Sequence, residues 1–221
     1  EGLSGTARIE NIENINAGSG DDIVDLTSPD YSLAGQNITV DGGEGNDTLW
    51  GSDANETLDG SNGDDVLFGG AGTNTINSGA GNDVVTGQFT ATNFVTLGTG
   101  ADTYNGNAAS GTDTIYLANG DFAAGESIFT GNTSPGNPNA GGLDTIILTN
   151  ATTVDFTTGS VSGVDILNGS TGNDTVTMSG TQLNGFTTLS FDGGADTLNI
   201  TATSTVFNAL GNTSITGLET I

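Results

Sequence analysis

The 221-residue chain has no cysteine, no histidine and a single basic side chain, Arg8. Without cysteine there is no disulfide and no thiolate metal site, which fits an exported protein whose fold does not depend on oxidation. Without histidine or lysine, adjacent carboxylates such as Asp21–Asp22 and Asp64–Asp65 lack an assisting base, and neighbours on a strand point to opposite faces. Catalysis is therefore not expected. No run approaches the roughly 18 apolar residues of a membrane span, and Glu1 is not followed by the charged-then-apolar pattern of a signal peptide. The last residues, "SITGLETI", stop inside what reads as a strand, so the chain is expected to be an excerpt of something longer.

Against one base stand 27 acids, giving a formal net charge of −26. Such a surface repels nucleic acid and anionic lipid, so nucleic-acid binding is excluded and the natural counter-charge is a cation or a basic partner. Only 33% of the residues are hydrophobic and 37 are glycine. A chain of this kind leans toward disorder in water unless something neutralises it. The expectation is a ligand-dependent fold.

What the sequence does have is rhythm. Residues 42–86 repeat the phrase G-G-x-G-x-D-x-U-x, where U is a large apolar residue. It is complete in Gly42–Trp50 and continues in nonapeptides that begin at Gly51, Gly60, Gly69 and Ser78. The U positions are Leu49, Leu58, Leu67, Ile76 and Val85, each beside strand-favouring residues. Up to three glycines per phrase exclude a helix, since each costs about 1 kcal/mol against alanine there. Glycine permits the tight turn and the residues around U extend, so two phrases close one 18-residue coil with U pointing inward from both sides. Stacked coils pair as parallel strands, roughly 4.8 Å apart.

Stacking also gives the aspartates a purpose. Asp47, Asp65 and Asp83 recur every 18 residues and so lie one above another as a self-repelling column. Carboxylates together with glycine-exposed carbonyls form the oxygen-rich setting that Ca²⁺ prefers, with roughly six to eight ligands, whereas Mg²⁺ demands a tighter octahedron. The alternative for these residues is a set of solvated turn aspartates bonded to their own backbone. The equivalent position on the opposite side carries Glu56 and Asn74, so ion binding is expected on one edge and little on the other.

This stretch resembles the repeats-in-toxin (RTX) family, whose hemolysin-type calcium-binding repeats occur in proteins exported by bacterial type I secretion. Single matching phrases occur at "AGSGDDIVD", "LGTGADTYN" and "GSTGNDTVT", with a shortened one at "DGGADTLNI". The resemblance implies an all-β, right-handed parallel β-roll or β-helix solenoid, regular at 42–86 and irregular elsewhere. It also implies calcium ligands at Asp22, Asp47, Asp65, Asp83, Asp102, Asp174 and Asp196. A looser signature, Gly-x-Asp/Glu-x-Ile/Leu, recurs at Gly142–Ile146, Gly163–Leu167 and Gly217–Ile221, each time placing an acid in a turn just before a strand. Such phrases resemble those between RTX repeats in large surface-layer proteins and adhesins.

Three segments are expected: a regular β-roll over 1–88, an irregular solenoid over 89–149 with a protruding loop at 118–142, and a continued irregular solenoid over 150–221. The loop holds two of the three prolines. Trp50, Phe68 and Tyr104 occupy or neighbour U positions and are expected to pack the solenoid rather than stack on sugars.

The functional expectation is a non-enzymatic, Ca²⁺-binding structural or adhesive segment of a secreted bacterial surface protein or filament. Its partners would be calcium ions and further copies of itself in a layer or filament, with no nucleic acid and no membrane span. The alternatives are the calcium-binding tail of a secreted RTX enzyme (protease, lipase or epimerase) and a polysaccharide-binding module.

Overall fold

The structure, a computed structural model, describes residues 12–30, 32–88, 90–106, 111–131, 142–201 and 213–220. Its first strands alternate long and short: β1 (Asn14–Ser19), β2 (Ile23–Asp25), β3 (Asn37–Glu44), β4 (Thr48–Trp50), β5 (Asn55–Asn62) and β6 (Val66–Phe68). The alternation continues through β7 (Thr73–Asn77), β8 (Val84–Thr86), β9 (Thr92–Thr96), β10 (Thr103–Asn105), β11 (Thr112–Leu117) and β12 (Ser127–Phe129). Then follow β13 (Thr145–Leu148), β14 (Thr153–Asp155), β15 (Ser160–Ser162), β16 (Ile166–Asn168), β17 (Thr175–Met178), β18 (Thr188–Ser190), β19 (Thr197–Ile200) and β20 (Ser214–Thr216). Helical structure among the described residues is confined to one 3-10 turn (Phe156–Thr158) and α1 (Gly180–Leu183).

Every strand pair among these residues is parallel and joins one coil to the next. Sheet neighbours are therefore alternate strands in chain order: β1-β3-β5-β7-β9-β11-β13 and onward to β20 on one wall, β2-β4-β6-β8-β10-β12-β15 on the other. This is the expected all-β parallel solenoid. In the regular stretch Leu49, Leu67 and Val85 stand in register on one wall and Leu58 and Ile76 on the other, all buried. One apolar residue per half-coil thus fills a narrow core from both sides. From β13 onward the coil gains a third wall, β14-β17-β19, and Phe156, Met178, Leu183 and Phe186 fill the wider interior.

The segment 118–142 differs from the single protruding loop expected for it. Ser127–Phe129 is a strand, β12, paired with β10 and β15. Phe122 is packed edge-to-face on Phe156, with ring centroids 5.0 Å apart. The apolar residues Ile128 and Phe122, diluted in sequence by glycine and asparagine, are what draw this part into the wall. Residues 132–141, which hold both prolines, lie outside the described residues.

Candidate metal centre

Each aspartate of the nonapeptide stands two residues before its inward apolar residue. On an extended strand, residues two apart share a face. The carboxylate consequently points into the solenoid beside the leucine or valine rather than out to water. Asp47, Asp65, Asp83, Asp102, Asp174 and Asp196 are all at most 1% exposed, which overturns the solvated-turn alternative. Asp22, in the first described coil, is partly buried.

The carboxylates stitch the coils together. The backbone N–H of Asp22 donates to Asp47 Oδ1 (2.8 Å), that of Asp47 to Asp65 Oδ1 (2.7 Å), and that of Asp65 to Asp83 Oδ1 (2.8 Å). Asp83 N–H then donates to Asp102 Oδ1 (2.8 Å) and Asp102 N–H to Glu126 Oε2 (3.0 Å). One column thus contains six acids. Its last member, Glu126, escaped the sequence reading because an insertion puts it 24 residues beyond Asp102. The signal it shares with the others is an acid two residues before a buried apolar residue, here Ile128.

Only half of each carboxylate is used. The second oxygens of Asp22, Asp47, Asp65, Asp83 and Asp102, and Glu126 Oε1, are buried and have no hydrogen-bond partner. At Asp47 and Asp65 room for this oxygen comes from the first glycine of the turn: a methyl group on Gly60 would stand 2.5 Å from both Asp65 Oδ2 and the carbonyl oxygen of Ser78 in the next coil. A methyl on Gly42 would collide with Asp47 Oδ2 in the same way.

Buried carboxylates with one hydrogen bond apiece titrate abnormally. Burial, with the Asp83 and Asp47 charges adding to it, pushes Asp65 up to about 6, against the bond from the Asp47 N–H. Burial likewise raises Asp102 to about 6 and Glu126 to about 8.

Two further columns complete the picture. On the wall that carries β5, Glu56 N–H donates to Asn74 Oδ1 (3.1 Å), Asn74 Nδ2 to Asn93 Oδ1 (3.2 Å), and Asn93 Nδ2 to Asp113 Oδ1 (2.9 Å). The side-chain amides of Asn74 and Asn93 bridge this part of the edge, while Glu56 Oε2 is buried without a hydrogen-bond partner. Farther along, Asp113 N–H donates to Asp144 Oδ1 (2.8 Å) and Asp144 N–H to Asp165 Oδ2 (3.1 Å). In the third wall, Thr152, Asp174, Asp196 and Glu219 are joined in the same manner, each bond 2.8 Å.

The loose Gly-x-Asp/Glu-x-Ile/Leu signature is therefore the same device as the nonapeptide aspartate, carried through coils of unequal length. Asp174 departs from the others. Its second oxygen accepts from the Ser170 N–H (2.7 Å), so no free oxygen faces its turn.

A hard cation fits the first column. All the side-chain ligands are oxygens, the sequence offers neither imidazole nor thiolate, and one unpartnered oxygen recurs in each coil of this column. Among the described residues no three acids converge on one point. An ion in this column would accordingly take carboxylates from successive coils and complete its shell with carbonyls and water.

The parallel coils and their internal carboxylate column define a metal-stabilised β-solenoid. Comparison with protein families gives the narrower identity: the family model for the RTX calcium-binding nonapeptide repeat (4 copies) matches residues 39–67, 50–85 and 161–177. The chain thus carries RTX calcium-binding nonapeptide repeats over 39–85 and 161–177, and the ion such repeats bind is calcium. Comparisons with curated proteins and with solved structures found no match.

The matched segments contain Asp47, Asp65, Asp83 and Asp174 and exclude Asp22, Asp102 and Asp196. Geometry places Asp22 and Asp102 in one column with the matched aspartates, and Asp196 in the column of Asp174.

Proposed function

We propose that the chain is a non-enzymatic structural segment of an exported bacterial surface protein or filament, loose where calcium is scarce and set into a rigid solenoid where it is abundant. The observation that supports this most strongly is the column of half-satisfied carboxylates running through the core of a chain with net charge −26. A column of this kind opposes its own folding until a cation neutralises it, and binding energy released only in the folded state is folding energy. Type I secretion, the outer surface as destination, and self-association through the open ends of the coil stack belong to this reading. No helix among the described residues is long and apolar enough to cross a membrane.

The Trp50–Phe68 pair on the outer wall is edge-to-face, at 69° with centroids 5.8 Å apart, and so offers no flat platform to a sugar ring. A polysaccharide-binding role draws no support from it.

Scattering from the chain in chelator and in millimolar Ca²⁺ tests the proposal. The expected result is an expanded coil in chelator and a rod of growing mass in Ca²⁺. A compact rod in chelator, or a monodisperse monomer in Ca²⁺, contradicts the rigidification or the self-association respectively.

A further inference from the structure

The three-residue strands of the second wall each turn one side chain inward and two outward. On β2, β4, β6 and β8 the outward side chains stand in two ranks, Ile23–Thr48–Val66–Val84 and Asp25–Trp50–Phe68–Thr86. Ile23 is 75% exposed, and Val84, Trp50 and Phe68 lie between 37% and 41%. Trp50 and Phe68, expected from the sequence to pack the solenoid, thus stand on its outside. They follow the inward Leu49 and Leu67, and neighbours on a strand face opposite ways.

This apolar face is local. In the coils that follow, the same ranks continue as Thr103, Ser127 and Asn105, with Phe129 the one large apolar member. On the opposite wall of the first coils the outward ranks hold only asparagine, aspartate and threonine, as in Thr39, Thr57 and Thr75. The core does not require the apolar face, since Leu49, Leu67 and Val85 already fill it and threonine serves the outside of a strand as well. Contiguous exposed apolar side chains with a polar rim mark a surface that another molecule covers.

The rim is acidic. Asp21 and Asp64 are exposed in the turns that lead into β2 and β6, where their Oδ1 atoms accept the N–H groups of Asn46 (2.9 Å) and Asn82 (2.8 Å). Asp25 is exposed at the end of the second rank. Arg8, the one base among 221 residues, lies outside the described residues. A second copy seated here would set acid against acid, and an anionic lipid surface is repelled in the same way. The occupant that fits carries positive charge. A guanidinium or ammonium lying on the exposed indole of Trp50 gains a cation–π contact besides.

We propose that the outer face of β2, β4, β6 and β8 docks a basic polypeptide partner. Its apolar side chains cover Ile23, Val66, Val84 and Phe68, and its arginines or lysines reach Trp50 and the rim acids. This surface lies along the side of the stack, apart from the open ends invoked for self-association, and it exists only when the coils are stacked.

Trp50 is the chain's single tryptophan and so reports from the middle of the face. The test is a titration of its fluorescence in millimolar Ca²⁺ with a synthetic arginine–leucine peptide. An arginine–serine peptide of equal charge and a glutamate–leucine peptide serve as controls. The expected result is a saturable blue shift with arginine–leucine, about tenfold weaker binding of arginine–serine, and none of glutamate–leucine. Phe68→Thr, which places on β6 the residue that β8 carries in that rank, should weaken the arginine–leucine peptide by about tenfold. Asp59→Asn, on the opposite wall, should leave it unchanged.

Equal binding of the two arginine peptides, or unchanged affinity in folded Phe68→Thr, overturns the proposal. If Phe68→Thr does not fold, unchanged affinity in Ile23→Thr overturns it. A blue shift that grows with protein concentration in the absence of peptide assigns the face to a second copy and overturns it as well. Circular dichroism on the same samples separates the failures: a chain without strand signal in Ca²⁺ overturns both the calcium-set fold and this surface, whereas a folded chain that does not bind overturns the surface alone.

Discussion

Asp65 shows what one residue contributes. Its Oδ1 accepts the Asp47 N–H, its own N–H is held by Asp83, and its Oδ2 faces the bare Cα of Gly60 with nothing to bond. Asparagine in its place keeps an oxygen for the Asp47 N–H and removes a buried charge flanked by Asp47 and Asp83. Asp65→Asn should therefore shift the balance in chelator toward the folded coil, by about 1 kcal/mol on the scale of one buried hydrogen bond, and lower the Tm in millimolar Ca²⁺. The reversal arises because Asp65 is shared by the ion positions on either side of it. Strand signal in chelator and thermal melts in Ca²⁺ check this, and a change of the same sign in both contradicts the assignment.

At this scale the sequence was most readable. The strict 18-residue spacing identified Asp47, Asp65 and Asp83 as a column, but it left open whether they face water. What settles the matter is parity on the strand: the acid lies two residues before the core residue, so it faces inward. The same parity turns the preceding residue outward, where Asn46 Oδ1 accepts the Asp64 N–H and Asp64 Oδ1 accepts the Asn82 N–H, both at 2.8 Å. The Asn-Asp and Asp-Asp pairs thus tie each coil on both faces, and neither is an acid–base pair.

Elements behave as ladders, and their titration is collective. Asp65, Asp102 and Asp113 are pushed up to about 6, Asp144 to about 7 and Glu126 to about 8, in every case chiefly by burial. Between the usual carboxylate range and these values, the folded chain holds protons that the unfolded chain releases. Stability of the ion-free coil is thus fully present below about pH 4 and is lost as pH rises through 6 to 8. In chelator any strand signal present at pH 5 should be lost by pH 8. Ca²⁺ affinity should run the opposite way, since ligands must be deprotonated to bind. Strand signal in chelator that grows over this range contradicts the buried column.

Element boundaries were less legible than residue roles. Coils of 18 residues are readable by counting, but insertions move the next column member 25 residues from Asp22 to Asp47 and 31 from Asp113 to Asp144. The count then breaks while the wall continues. Asp113 and Glu126 were missed for that reason, whereas Asp144, Asp165 and Glu219 were noticed only as acids ahead of strands. The short helix α1 left a local trace as well: Ser179 and Gln182 form a capping box, the Ser-x-x-Gln pattern that starts a helix.

The whole molecule is governed by one imbalance, 27 acids against one base. Composition predicted a fold contingent on a cation, and the periodicity predicted its parallel coils. The third wall, β14-β17-β19, was not predictable from the nonapeptide beat, because it depends on coils of 22 residues whose extra length is irregular in sequence. The apolar core is one continuous file of buried residues from Ile38 to Leu198, narrow in the regular coils and wider where the third wall opens. A core so narrow, lined by columns of buried carboxylates, is where the proposed dependence on a cation would arise.

The most direct test is a Ca²⁺ titration of this chain followed by far-ultraviolet circular dichroism, with Mg²⁺ at matched ionic strength as the control. Strand signal that appears with Ca²⁺ and not with Mg²⁺ is the predicted result and makes the aspartate column a metal ladder. Full strand signal in chelator, or equal service from Mg²⁺, would show that backbone pairing and apolar stacking suffice and would contradict the account.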